Sequence, residues 1–105
     1  MFLKIDFNSD EAIYIQLRNQ IIMGIATDMI REGDTLPSVR QMADYIGINM
    51  HTVNKAYSVL RQEGFVKLDR RKGAVVSLDV DKIPHTINFF SDKHTTVFRT
   101  LQNVF

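Results

Sequence analysis

Residues 36–57 constrain this chain's fold more tightly than any other stretch. Pro37-Ser38 opens a helix, and Ser38 with Gln41 matches the S-x-x-Q capping box that satisfies orphan amides at a helix start. Val39, Met42, Ala43 and Ile46 recur at helical spacing and form an apolar stripe. Gly47 suits the left-handed position just past a helix end. Asn49 is then a good N-cap for a second helix over about residues 50–63, with Val53, Ala56, Tyr57 and Leu60 inward and Gly64 as its stop. A short capped helix, a glycine turn and a second capped helix with a polar outer face make a helix-turn-helix.

The flanking segments extend that unit. Phe65-Val66-Lys67-Leu68-Asp69 and Ala74-Val75-Val76-Ser77-Leu78 read as two strands around the turn-length basic tip Arg70-Arg71-Lys72-Gly73. This hairpin makes the unit a winged helix. Upstream, Leu3-Lys4-Ile5-Asp6-Phe7 alternates apolar and polar residues like a half-buried strand, and Asn8-Ser9-Asp10 offers helix caps. The pattern predicts a helix over 11–31, where Leu17, Ile21, Ile25 and Met29 recur every fourth residue, widened by Tyr14, Ile22 and Ala26. Gly24 inside that helix costs about 1 kcal/mol relative to alanine, and close packing is the reason sequence offers for it. The expected fold class is α+β: three helices, a small β-hairpin wing and a short helical tail. The expected division is a winged-helix domain over 1–78 and a tail over 79–105.

Composition narrows the function. The 105 residues are 45% hydrophobic, enough for one modest core, and no cysteine is available for disulfides or thiolate metal sites. No apolar run approaches the roughly 20 residues that span a bilayer, and the N-terminus lacks the pattern of a secretory signal. The expectation is a soluble cytoplasmic protein. The net charge of +1 is unevenly spread. Residues 1–37 carry 3 Lys/Arg against 6 Asp/Glu, residues 38–73 carry 7 against 3, and residues 74–105 carry 3 of each. The positive charge is concentrated on the helix-turn-helix and hairpin, as nucleic-acid binding requires.

DNA reading needs cations and amides for phosphates, and polar side chains for base edges. The second helix presents Met50, His51, Thr52, Asn54, Lys55, Ser58, Arg61 and Gln62 outward. Residues at its N-terminal end enter a major groove most deeply in this docking mode. His51, Thr52, Asn54 and Lys55 are therefore the leading candidates; Asn pairs bidentately with adenine, and the Thr methyl packs on a thymine methyl. Arg40 lies in the first turn of the preceding helix and suits a guanine or a phosphate. Arg70, Arg71 and Lys72 suit phosphates beside a minor groove, or entry into it. Each feature alone is ordinary surface; their order along the chain is not.

Residues 3–78 resemble the DNA-binding domain of the GntR family of bacterial transcription regulators. The similarity lies in Ala12-Ile13-Tyr14-Ile15-Gln16-Leu17 against "PIYxQI", residues 32–40 against "xGDxLPSxR", residues 49–57 against "NxxTVxxAY", and residues 63–66 against "EGxI". The LPS and AY variants look most like the small YtrA-type subfamily. The resemblance implies a homodimer on an inverted-repeat operator, acting as a repressor, with recognition helices roughly 34 Å apart. It implies DNA contacts from Ser38 and Arg40 of the LPSxR segment, from Asn49, His51 and Thr52, and from the wing glycine, Gly73. Two departures stand out: Asn54 replaces the arginine of many members, and Arg71 stands where the wing pattern R-G-x-G has its first glycine.

Only 27 residues follow Leu78, too few to enclose a usual metabolite pocket, so an effector is left open. Asp92 is a cap for a final helix whose stripe Val97, Phe98, Leu101 and Phe105 is too apolar to stand exposed. It is expected to bury against a second subunit or on helix 11–31. His51, His85 and His94 lack metal-ligand spacing, and no nucleophile elbow or phosphate loop occurs, so no catalytic activity, cofactor or metal is expected. Two other readings stay open: a winged-helix protein-interaction module, favoured by Asn54 and the altered wing, and metabolite- or metal-gated regulation through the tail.

Overall fold

The computed structural model describes residues 3–83. Its elements are α1 (Ile13–Ala26), α2 (Val39–Ile46), α3 (Met50–Gln62), β1 (Val66–Asp69) and β2 (Gly73–Val76). The two strands pair antiparallel, Val66 opposite Val76 and Asp69 opposite Gly73. Three helices and a two-stranded hairpin give the winged-helix architecture expected from the sequence. Of the tail expected over 79–105, residues 79–83 are described, and the rest, with Val97, Phe98, Leu101 and Phe105 and with His85, Asp92 and His94, lies outside the described residues.

One core holds the elements together. Leu17, Ile21 and Ile22 of α1, Met42 of α2, Val53 and Leu60 of α3, and Phe65 and Val76 at the hairpin base are fully or almost fully buried. Ile83, five residues beyond Leu78, is buried in the same cluster. The chain reaches it by crossing Gly64, whose left-handed φ of +91° ends the α3 region. A Cβ added there would lie 2.6 Å from the Lys82 Cβ, so both backbone conformation and space demand glycine.

The N-terminal third departs from the sequence reading in three places. Residues 3–7 form no strand. Their peptide groups find partners in side-chain amides of α1 instead of a neighbouring strand. Gln16 Oε1 accepts the Asp6 N–H at 2.8 Å, and Gln16 Nε2 donates to the carbonyls of Asp6 and Glu11 at 2.9 Å each. Gln20 likewise binds both the N–H and the carbonyl of Lys4. Second, none of Asn8, Ser9 and Asp10 caps α1: the N-cap is Ala12, with no side-chain bond, and Ser9 Oγ serves the Glu11 N–H outside the helix.

Third, α1 stops at Ala26, five residues early. Asp28 turns left-handed (φ +62°), and the N–H groups of Met29 and Ile30 both reach back to the Gly24 carbonyl at 2.9 Å. Met29 swings out, 69% exposed, while Ile30 is buried. An added Cβ on Gly24 would lie 2.6 Å from the Ile30 Cδ1. Close packing is therefore the reason for the glycine, and the returning Ile30 is what packs there.

The helix-turn-helix follows the sequence closely. Ser38 and Gln41 form both bonds of the capping box, at 3.1 and 3.0 Å. Gly47 is left-handed, and Asn49 Oδ1 accepts the His51 N–H at 2.6 Å. The segment between α1 and α2 adds an edge that the sequence did not announce. Gly33 and Leu36 donate to the carbonyls of Val76 and Ala74, Val76 donates to that of Asp34, and Thr35 bridges Val75. This ladder registers the start of α2 against the wing.

Candidate nucleic-acid interface

Helix α3 presents two chemically different halves because its residues repeat every 3.6 positions. Val53, Ala56, Tyr57 and Leu60 are buried, while His51, Asn54, Lys55, Ser58, Arg61 and Gln62 are exposed and Thr52 is half-buried. Two contacts tie the α1-facing flank. Arg18 forms a two-pronged ion pair with Glu63 at 2.8 and 2.7 Å, and also donates to Asn19 Oδ1. The Lys55 ammonium sits 4.2 Å from the centroid of the Tyr14 ring, a cation–π distance.

The opposite flank faces the wing. Asn54, Tyr57, Ser58 and Arg61 line a cleft of about 350 Å³ with Ser38 of the α2 start and with Lys67, Leu68 and Gly73 of the hairpin. Tyr57 holds that cleft together from below: its hydroxyl donates to the Pro37 carbonyl at 2.7 Å. Burial pushes the Tyr57 phenol far up, so it stays a donor at any ordinary pH.

The sequence candidates fall into three places. Ser38, Asn54 and Gly73, from three separate elements, share the cleft. Arg40, Asn49, His51, Arg70, Arg71 and Lys72 are exposed but do not line it, Thr52 is half-buried, and Lys55 lies on the flank that meets Tyr14 of α1. Among the described residues, the side chains of Arg40, Arg70, Arg71 and Lys72 make no ion pair, so their charge is available. Sequence reasoning passed over Lys67, since an alternating strand gives no sign of which cations face a helix. It named Arg61 only as part of a polar face.

The wing turn answers the missing glycine. Asp28 is the only described non-glycine residue with positive φ, so Arg70, Arg71 and Lys72 all keep ordinary backbone. The single left-handed residue is Gly73 (φ +81°), and an arginine at 71 fits without strain. The turn is closed by Asp69, whose Oδ1 accepts the N–H groups of Arg71 and Lys72 at 2.8 and 2.9 Å.

These shapes recur in known proteins. The family described as "Bacterial regulatory proteins, gntR family" matches residues 10–76. The HTH-type transcriptional repressor YtrA of Bacillus subtilis is 37% identical over 75 residues, covering 71% of this chain and 58% of that protein. This chain thus spans less than two thirds of that repressor's length. The structure of YtrA from Sulfolobus acidocaldarius, a GntR-family transcription factor, superposes with a TM-score of 0.72 at 44% identity, over 76% of this chain and 84% of that one. The AraR DNA-binding domain, solved in complex with operator ORX1, shares the fold at a TM-score of 0.62 and 21% identity, covering 73% of this chain and 99% of that domain. Capped helix pair, basic wing and family match agree, and the chain belongs to the gntR family of bacterial regulatory proteins.

Proposed function

We propose that the chain is a DNA-binding transcription repressor that acts as a homodimer on an inverted-repeat operator. The observation that carries this reading is the meeting of the α2 start, the α3 flank and the wing at one cleft, lined by Arg61 and Lys67, which form no ion pair among the described residues. His51, Thr52 and Asn54 read base edges in the major groove. Ser38, whose oxygen already accepts the Gln41 N–H, has its own proton left for a phosphate. Arg40 binds a guanine or a phosphate, Asn49 and Lys55 hold the backbone beside α3, and Arg70, Arg71, Lys72 and Gly73 approach the minor groove.

The repressor assignment draws on the printed name of the Bacillus subtilis relative. The homodimer reading draws on the apolar tail stripe Val97, Phe98, Leu101 and Phe105; the DNA-binding unit expected over 1–78 extends to Ile83, which packs in its core, and the tail beyond it is the dimerising segment. A cytoplasmic location follows from the same reading.

Fluorescence anisotropy on a duplex recovered by in vitro selection tests it. The logarithm of the binding constant falls linearly with the logarithm of salt concentration in the wild type. Arg40→Ala weakens binding by about 5- to 150-fold, the range for removing one bidentate pair of bonds to a base. Arg70→Ala with Arg71→Ala lowers the salt slope by about 0.9 for each phosphate that is no longer neutralised. Unchanged affinity and slope in these variants, or a selection that enriches no sequence, overturns the assignment.

A further inference from the structure

An acidic side chain is out of place at the neck of a loop that meets a polyanion. Asp69 is the last residue of β1, directly before Arg70-Arg71-Lys72. It stands opposite Gly73 in the ladder, so the two residues mark the entry and the exit of the turn. One carboxylate oxygen accepts two successive backbone N–H groups, from Arg71 and Lys72. Three adjacent cations repel one another, and an uncapped turn of this composition samples many shapes. The two bonds restrict the backbone that carries these side chains, and they use an acceptor that the turn itself supplies.

We propose that Asp69 is a positioning residue for DNA binding: its side-chain oxygen freezes the wing turn so that Arg70, Arg71 and Lys72 are presented to the duplex together. This role rests on the DNA-binding reading above. Hydrogen bonding also holds the Asp69 carboxylate below the usual carboxylate range, first through Lys72 N–H and then through Arg71 N–H. The acceptor is thus fully charged, and at its strongest, at neutral pH.

Two substitutions with the same change in charge separate positioning from simple repulsion. Asp69→Asn keeps a side-chain oxygen for the two N–H groups, whereas Asp69→Ala removes it. The experiment measures affinity of the full chain for the selected duplex, with amide hydrogen exchange at Arg71 and Lys72 in the free protein. The expected order is Asp69→Asn at least as tight as wild type and Asp69→Ala 3- to 10-fold weaker than Asp69→Asn. Exchange at the two amides is faster in the alanine variant alone. Equal tightening in both variants means that Asp69 only repels phosphate, and it overturns the proposal, as does unchanged exchange in Asp69→Ala. Failure of the wild type to bind any duplex sinks the DNA-binding reading and this role with it, a result told apart by the free-protein exchange.

Discussion

One side of α3 is sealed into the core through Val53, Ala56, Tyr57 and Leu60, and its C-terminal end is tied to α1 by Arg18 and Glu63. The wing tip, by contrast, is exposed from Arg70 to Gly73 and is closed by one carboxylate and one left-handed glycine. The aim of the helix is therefore a property of the whole domain, while the shape of the wing tip is a property of five consecutive residues. Substitutions behind α3 change stability and binding together. Substitutions in the wing change binding with little effect on stability.

The largest expected effect comes from Leu60→Ala. Leu60 is fully buried, and removing its side chain costs about 2–5 kcal/mol, read as a lowered urea midpoint. A loss under about 1 kcal/mol contradicts the dependence of α3 on the core. Next comes Glu63→Ala, which leaves the Arg18 guanidinium without its carboxylate. The two side chains are 13% and 26% exposed, so the cost lies between surface and buried limits, at about 1–2 kcal/mol. A double-mutant cycle with Arg18→Ala isolates the pair.

Tyr57→Phe is smaller still. It removes the bond to the Pro37 carbonyl and costs about 1 kcal/mol, leaving a carbonyl beside the cleft in need of a partner. Its sharper consequence is for binding: the segment carrying Ser38 loses its anchor to α3, so affinity falls by more than the stability loss alone accounts for. Equal affinity for Tyr57→Phe and wild type sinks that link.

The smallest effect is a pH response of the wing alone. The Asp69 carboxyl has a lowered pKa in the folded chain, so its contribution is complete above the ordinary carboxylate range and disappears as pH falls through the lowered value. The sign is loss on acidification. Amide shifts of Arg71 and Lys72 are expected to stay flat from about pH 8 to about pH 5 and to move only in strong acid, before α3 amides respond. Simultaneous movement of α3 contradicts the local character of the wing.

The same contrast explains what the sequence revealed. The Ser38–Gln41 box, the Asn49 cap, the Gly47 turn and the inner stripe of α3 are written within a few residues of one another, and each was legible. Elements set by distant partners were not. Met29 continues the four-residue spacing of α1, yet Ile30 takes the buried place because bare Gly24 leaves room for it. The alternation of residues 3–7 mimics a strand, but Gln16 and Gln20 satisfy its backbone instead. The ladder between residues 33–36 and β2 pairs segments about 40 residues apart, and no local pattern marks it. At the candidate site, the cations were visible by type, whereas the meeting of Ser38, Asn54 and Gly73 required the fold.

The most direct test of the central claim is backbone amide shift mapping by NMR as the selected duplex is added. Perturbations are expected at residues 38–40, 49–55 and 70–73, with the buried face of α1 unaffected. Perturbations confined to α1 and residues 3–12, with those three segments unmoved, would contradict it.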